Sequence, residues 1–293
     1  MIDIDLTIFT PTYNRAHTLV RTYKSLCNQT DSRFEWLIVD DGSLDNTKQY
    51  VERWILEGKI SIRYVTQENA GKHVAFNHGV QLAKGYLFFT VDSDDWLPSN
   101  AVELILKQRQ QLTSKNIAGI IALKSFENKK IIGSTFPDNL KYASAYGLTK
   151  MGFRGERSFI IKTSILKQYP YPQISGEKFM GEAVVYDQID RQHKYLIINN
   201  VFTICEYQPD GLSNNITRIM LQNPGGYKIY YAQRIDIATN LKERIDYIIH
   251  YWAFALMSSS KTYPYHGQHQ FMVRLCFPLG CCAYLYYKRK NVK

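Results

Sequence analysis

The sequence predicts an α/β fold: a mostly parallel sheet with helices on both faces. Apolar runs rich in Ile, Val, Phe and Tyr recur near 4–10, 34–39, 60–65, 86–91 and 117–123. Segments with helical spacing fill the gaps between them, near 17–28, 45–57, 72–84 and 99–113. Polar clusters fall where the runs end. Alternating strands and helices imply parallel pairing through helical crossovers, with strands buried on both faces. Such sheets bind ligands at the carboxyl ends of their strands.

Taken in order, the first run ends in "TPTYNR", Thr10 to Arg15, and the second in "VDDGSLDNT", Val39 to Thr47. "QENAGKHVAFNHG", Gln67 to Gly79, follows the third, and "VDSDD", Val91 to Asp95, closes the fourth. All four clusters therefore face one crevice. Ser43 and Asp45 read as turn and helix-capping residues. Beyond about 155 the pattern is mixed. Short apolar runs at 159–161, 195–198 and 201–205 flank a helical stretch near 179–193. Residues 217–259 read as two amphipathic helices, with "NPGGY" as a break inside the first segment. The tail, 270–293, is apolar and aromatic and ends in basic residues, and Pro278 and Gly280 are expected to break any continuous helix there.

The chain has 293 residues, 45% of them hydrophobic, enough for a large core. The net charge of +10 suits a polyanionic partner: nucleic acid, anionic lipid or a phosphate-bearing substrate. Nucleic acid has only the charge in its favour, since no recognition helix or aromatic-basic platform is evident. Five cysteines, none in a CxxC pair, argue for a reducing compartment and against a zinc site or disulfide framework. No signal peptide and no ordinary membrane-spanning helix are expected.

The chemistry concentrates at Asp92, Asp94 and Asp95. Crowded carboxylates raise one another's pKa unless a cation joins them. A divalent ion would relieve that repulsion and bridge a diphosphate. In an extended D-x-D the outer side chains share one side, so Asp92 and Asp94 can share one ion. Capping of a helix near 97–99 explains one of the three acids and leaves two. Asp41, at the end of a buried strand, can accept the imide N–H of a uracil ring or ribose hydroxyls. Lys72, just ahead of a helix, suits phosphate. Trp96, directly after the acids, offers a face for a sugar ring or packs in the core.

In their order and spacing, "FTPTYNR", "VDDGSLDNT", "ENAGKHVAFNHG" and "VDSDDWL" resemble the inverting nucleotide-sugar transferases of glycosyltransferase family 2, which have the Rossmann-like GT-A fold. The motifs lie in about the first 100 residues. The resemblance implies a nucleotide-diphosphate sugar donor, usually a UDP-sugar, held with Mn²⁺ or Mg²⁺. It places Pro11, Tyr13 and Asp41 around the base and Lys72 near the donor. Asp92, Ser93 and Asp94 go to the ribose, diphosphate and metal, with Asp94 as the chief metal ligand and Asp92 and Asp95 in support. It implies a GT-A domain over 1–215, with a nucleotide-binding half (1–115) and an acceptor half (116–215). A C-terminal helical region at 216–293 would follow, associated with membrane.

"GEKFMGEAVVYDQI", "CEYQPDGLS" and "NPGGY" extend the likeness into the second half, where the family usually carries a Glu-Asp pair at a helix start. This chain has Glu182 followed by Ala183, which leaves Glu182 as candidate base, with Glu177 and Asp187 as rivals. Asp187 is expected to face solvent or Arg191. Trp96 and Asp210 fall to the acceptor side. The implied partners are the donor and a glycan or polyprenyl-linked acceptor, with an anionic membrane surface on the cytoplasmic side. A nucleotidyltransferase would open with a glycine-rich basic loop, where this chain has "TPTYNR". A degenerate, non-catalytic subunit has only the missing acid at 183 in its favour.

Overall fold

The computed structural model describes residues 4–206, 216–260 and 264–290. The chain forms two compact units: 1–170 with 189–208, and 171–188 with 209–293. Residues 171–188, grouped above with the acceptor half, thus belong to the second unit.

The first unit opens with β1 (Leu6–Thr12), α1 (Ala16–Cys27), β2 (Phe34–Asp40) and α2 (Thr47–Glu57). Then come β3 (Ile62–Thr66), α3 (Lys72–Leu82), β4 (Leu87–Thr90) and α4 (Ala101–Lys107). A 3-10 turn (Arg109–Leu112) leads to β5 (Ile117–Phe126), β6 (Tyr142–Ala143), α5 (Ala145–Lys150), β7 (Arg157–Lys162) and α6 (Thr163–Leu166). After α7 (Ala183–Asp190), most of which belongs to the second unit, the first unit closes with β8 (Lys194–Cys205). The eight strands lie in the order β3-β2-β1-β4-β7-β5-β8-β6. Their pairings make six run one way, with β7 and β6 reversed. The sheet is therefore mostly parallel, as the alternation predicts, with an antiparallel strand let in between β4 and β5.

Every residue of β1 and β2 is buried, the condition of strands covered on both faces. Helix α1 turns Leu19, Tyr23 and Leu26 inward, and α2 turns Val51 and Trp54. There Tyr50, Trp54, Tyr23 and Trp36 stack nearly parallel, the Tyr23 and Trp54 ring centroids 4.4 Å apart. Burying such aromatic area is worth several kcal/mol per ring, roughly 3–5 on truncation of a Trp to Ala.

The second unit contains α8 (Ile216–Gln222), α9 (Pro224–Ile237), α10 (Leu241–Met257), α11 (Gln270–Leu275) and α12 (Phe277–Lys290). Its core gathers Ile235, Ile248, Tyr251, Val273 and Cys276. "NPGGY" divides two helices: Pro224 takes the first position of α9, where its missing N–H is no loss. Three helices therefore stand where two were expected. The expected break at the tail is met in part: α11 ends at Leu275 and α12 starts at Phe277 with Pro278 in its first turn, but α12 runs on through Gly280. A Cβ at Gly280 would meet the Trp252 Cβ at 2.2 Å, so this glycine allows close packing on α10 and breaks nothing. Trp252 Nε1 donates to the Val273 carbonyl at 2.6 Å, tying α11 to the same helix. Among the described residues no helix is long and apolar enough to cross a membrane.

Candidate functional site

In the first unit the carboxyl ends of β1, β2 and β4 carry the loops that the sequence singled out. The β1 and β2 loops clasp each other. The Asn14 amide donates to Ser43 Oγ at 2.8 Å, and the Leu44 amide to Asn14 Oδ1 at 2.7 Å. Pro11 is buried in β1 opposite Val39, while Tyr13 stands 47% exposed just past the strand. Asp45 Oδ2 accepts from the Ala16 amide at 2.9 Å, and its Oδ1 from the Thr47 amide at 3.0 Å. One carboxylate thus serves the amino ends of both α1 and α2, in keeping with its expected capping role.

Asp41 is buried. Its Oδ1 accepts from Gln67 Nε2 at 2.8 Å and the Ala70 amide at 2.9 Å, and its Oδ2 from the Gly71 amide at 2.8 Å. Its carboxylate therefore shapes the loop that presents Lys72. Asp40 accepts from the Ser43 amide and the Tyr64 hydroxyl. Thr12 Oγ1, at the end of β1, is buried with no hydrogen-bond partner, a polar atom available to a ligand.

After β4 the chain turns sharply, the Asp95 amide donating to the Asp92 carbonyl at 3.0 Å. The three acids are held differently. Lys72 Nζ lies 2.7 Å from Asp92 Oδ1, so α3 delivers its first residue onto this acid. Burial disfavours the Asp92 carboxylate, but Lys72 and Lys124 outweigh it and hold the group below the usual carboxylate range. Asp94 is pushed the other way, first by burial and then by the charge of Asp92. Asp95 is buried and turned inward, its Oδ2 3.0 Å from Lys124 Nζ; burial pushes its carboxyl up to about 6 against the pull of that lysine. Ser93 is buried between Asp92 and Asp94.

Lys124 escaped the sequence reading. Its only signal is a lone cation within the apolar strand "GIIALKSF". Trp96 is half-buried, with the Arg21 guanidinium 3.8 Å from its ring centroid. A recess of about 270 Å³ beside it is lined by Arg21, Lys24, Ser25, Asn28, Trp96, Leu97 and Ser99, and by none of the three acids.

No group of three or more His, Cys, Asp or Glu side chains among the described residues could hold a metal. Asp92 and Asp94 offer a sparser set. Two hard carboxylates suit a cation that draws its remaining oxygens from substrate phosphates and water. Burial, and after it the charge of Asp92, raises Asp94, and a cation beside both carboxylates offsets the two effects. The pair therefore fits a divalent ion bound together with a diphosphate.

The remaining candidate acids lie in the second unit. Glu177 caps α9, its oxygens accepting from the Gly225 and Gly226 amides at 2.7 and 2.8 Å. Asp187 is 2% exposed and meets Arg234 in a bidentate pair at 2.6 and 2.9 Å. The expectation that Asp187 faces solvent is thereby corrected: it is buried, and α9 supplies a cation to it. Glu182 is exposed just ahead of α7, with the Tyr186 hydroxyl 3.5 Å away. Asp210 lies outside the described residues.

A sequence profile described as "Glycosyl transferase family 2" matches residues 7–170, over half of the chain. Chondroitin synthase of Pasteurella multocida is 38% identical over 103 residues, 35% of this chain and 11% of that protein. The chain thus spans a small part of that relative. The crystal structure of S. aureus TarS 1-349 in complex with UDP-GlcNAc superposes with a TM-score of 0.61 at 14% identity, covering 98% of this chain and 91% of that one. Mannosyltransferase PcManGT from Pyrobaculum calidifontis, in complex with GDP-Man and Mn²⁺, gives 0.50 at 18% identity, over 95% of this chain and 73% of its own. At these identities the two structures speak for the fold.

Proposed function

Because the chain belongs to glycosyl transferase family 2, we propose that it moves a sugar, with inversion, from a UDP-sugar to a hydroxyl of a glycan or lipid-linked acceptor in cell-surface polysaccharide synthesis. The observation that carries the reading is the acid turn after β4, where Lys72 neutralises Asp92 and Asp94 is left crowded beside it. The UDP-GlcNAc complex of TarS and the chondroitin synthase likeness favour a UDP-linked hexosamine or hexose, and the PcManGT complex favours a divalent ion.

In this reading Asp94 and Asp92 hold the cation, and Tyr13, Pro11 and Asp41 border the base. Ser93 lies on the donor side and Asp95 is neutralised from within by Lys124. When bound, the ion supplies positive charge to the departing diphosphate. Lys72, at a helix amino end, shifts from Asp92 toward the phosphates. Glu182 takes the proton of the acceptor hydroxyl as its oxygen bonds to the anomeric carbon and the bond to the diphosphate oxygen breaks. Trp96 and Asp210 serve the acceptor. The C-terminal helices rest on an anionic bilayer: Phe271, Leu275 and Leu279 are exposed, and so are the basic residues Arg274, Lys288 and Arg289.

The test is calorimetric titration of UDP with Mn²⁺ and with EDTA, alongside hydrolysis of a panel of nucleotide sugars. Binding should need the metal, and Asp94→Ala should abolish turnover and weaken Mn²⁺-dependent UDP binding several-fold. Equal affinity in EDTA would remove the metal from the account.

A further inference from the structure

One face of α1 is given over to the segment that follows β4. Arg21 Nη2 donates to the Asp94 carbonyl at 2.8 Å, and Thr22 Oγ1 to the Asp95 carbonyl at 2.7 Å. The Leu97 amide donates to Ser25 Oγ at 3.2 Å. Just past the helix, Gln29 Nε2 donates to the Pro98 carbonyl at 2.8 Å, and its Oε1 accepts from the Val102 amide at 3.1 Å. Positions 21, 22 and 25 share a helical face that Gln29 continues past the helix end, so the hydrogen bonds form a rack along which the acid turn is laid.

Thr22 and Ser25 are buried, and their bonds satisfy backbone groups that would otherwise be stranded. Arg21 differs. It is a third exposed, and one planar cation makes three unlike contacts: the Asp94 carbonyl, the Trp96 ring at 3.8 Å, and Glu206 Oε2 at 2.6 Å. A side chain needed only to fill space would not require a fork and a flat face together. Arginine alone supplies both.

We propose that Arg21 is a positioning residue for the acid turn. It fixes the peptide between Asp94 and Asp95 and the plane of the Trp96 indole, so that the Asp94 carboxylate is already aimed when the donor arrives. It acts through these residues and touches no donor atom itself. The inference rests on the donor reading above.

The experiment titrates UDP, in Mn²⁺ and in EDTA, into the wild-type chain and the variants Arg21→Ala, Arg21→Lys and Glu206→Gln, with a thermal melt of each. Both Arg21 variants should melt near the wild type yet bind UDP in Mn²⁺ roughly tenfold more weakly, about the worth of one charge-assisted contact. Their weak binding in EDTA should be unchanged, and Glu206→Gln should stay near wild type, as the loss of an exposed ion pair does. Should Arg21→Ala melt early, Arg21→Lys decides, since it keeps the charge and the aliphatic stem. A folded Arg21→Lys with wild-type affinity in Mn²⁺ overturns the proposal alone. Wild-type binding that ignores Mn²⁺ overturns the donor reading and this inference with it.

Discussion

At Asp41 a buried carboxylate accepts three hydrogen bonds from the loop that leads into α3. Its position at a strand end was legible from "VDDG"; its partners were not, because they lie some 26 to 30 residues away. Asp41→Ala should therefore act twice. It should raise the donor KM, and it should cost at least about 2 kcal/mol of stability by stranding buried donors, measured by urea denaturation. A raised KM at unchanged stability would mean the loop does not depend on the carboxylate. The three acids of the second unit separate in the same way. Glu182→Gln should fold normally and lower kcat by about 10²–10⁴-fold. Glu177→Ala should lose a helix cap worth about 0.5–2 kcal/mol. Asp187→Ala should lose about 3–5 kcal/mol, because the buried Arg234 guanidinium would lose its bidentate carboxylate. Stability and kcat measured on all three identify the base. One sequence cannot make that division, since cap, buried pair and base are all simply acids in a row of helical residues.

Elements were more legible than their pairings. A parallel strand buried on both faces reads as an unbroken apolar run, so β1, β2, β4 and β5 stood out. The two-residue β6 has too little pattern to read, and nothing local reports that β7 enters reversed between β4 and β5. Gly280 read as a break because a glycine's partner, here Trp252, is invisible in sequence. Asp45 shows an element-level device that could be foreseen in part: capping was expected, but not the second helix it serves. Hydrogen bonds from Thr47 and the Ala16 amide outweigh burial and hold its carboxyl below the usual range. A carboxylate with a lowered folded-state pKa stabilises above its unfolded value of about 4, and that contribution is lost as the pH falls through the folded value. Urea midpoints should thus drop on acidification below about pH 4, and Asp45→Asn should flatten that limb. An Asp45→Asn profile parallel to wild type would show that the acid limb comes from other carboxylates.

For the whole molecule, the charge of +10 narrows to particular places once the fold is known. Lys72 and Lys124 serve the acid turn, while Arg274, Lys288 and Arg289 are exposed on the C-terminal helices, which also expose Phe271, Leu275 and Leu279. Because Val273 and Cys276 belong to the second unit's core, cutting the tail away would damage that unit. Point changes at these exposed apolar residues test the membrane contact better. The wild-type chain should float with anionic vesicles at low salt and less at high salt. Phe271→Ser, Leu275→Ser and Leu279→Ser together should abolish flotation without lowering the melting temperature. Indifference of the wild type to anionic vesicles would end the membrane proposal.

The aromatic stack under α1 and α2 has an optical consequence. Of the four tryptophans, Trp36 and Trp54 lie 5.9 Å apart and 25° from parallel, both in the first unit. Chromophores so close exchange excitation, and their shared absorption splits into components that rotate light in opposite senses. Trp252, in the second unit, stands edge-on to the Phe277 ring instead. The first unit therefore carries its own exciton couplet, and circular dichroism in the indole bands can follow its melting without any label.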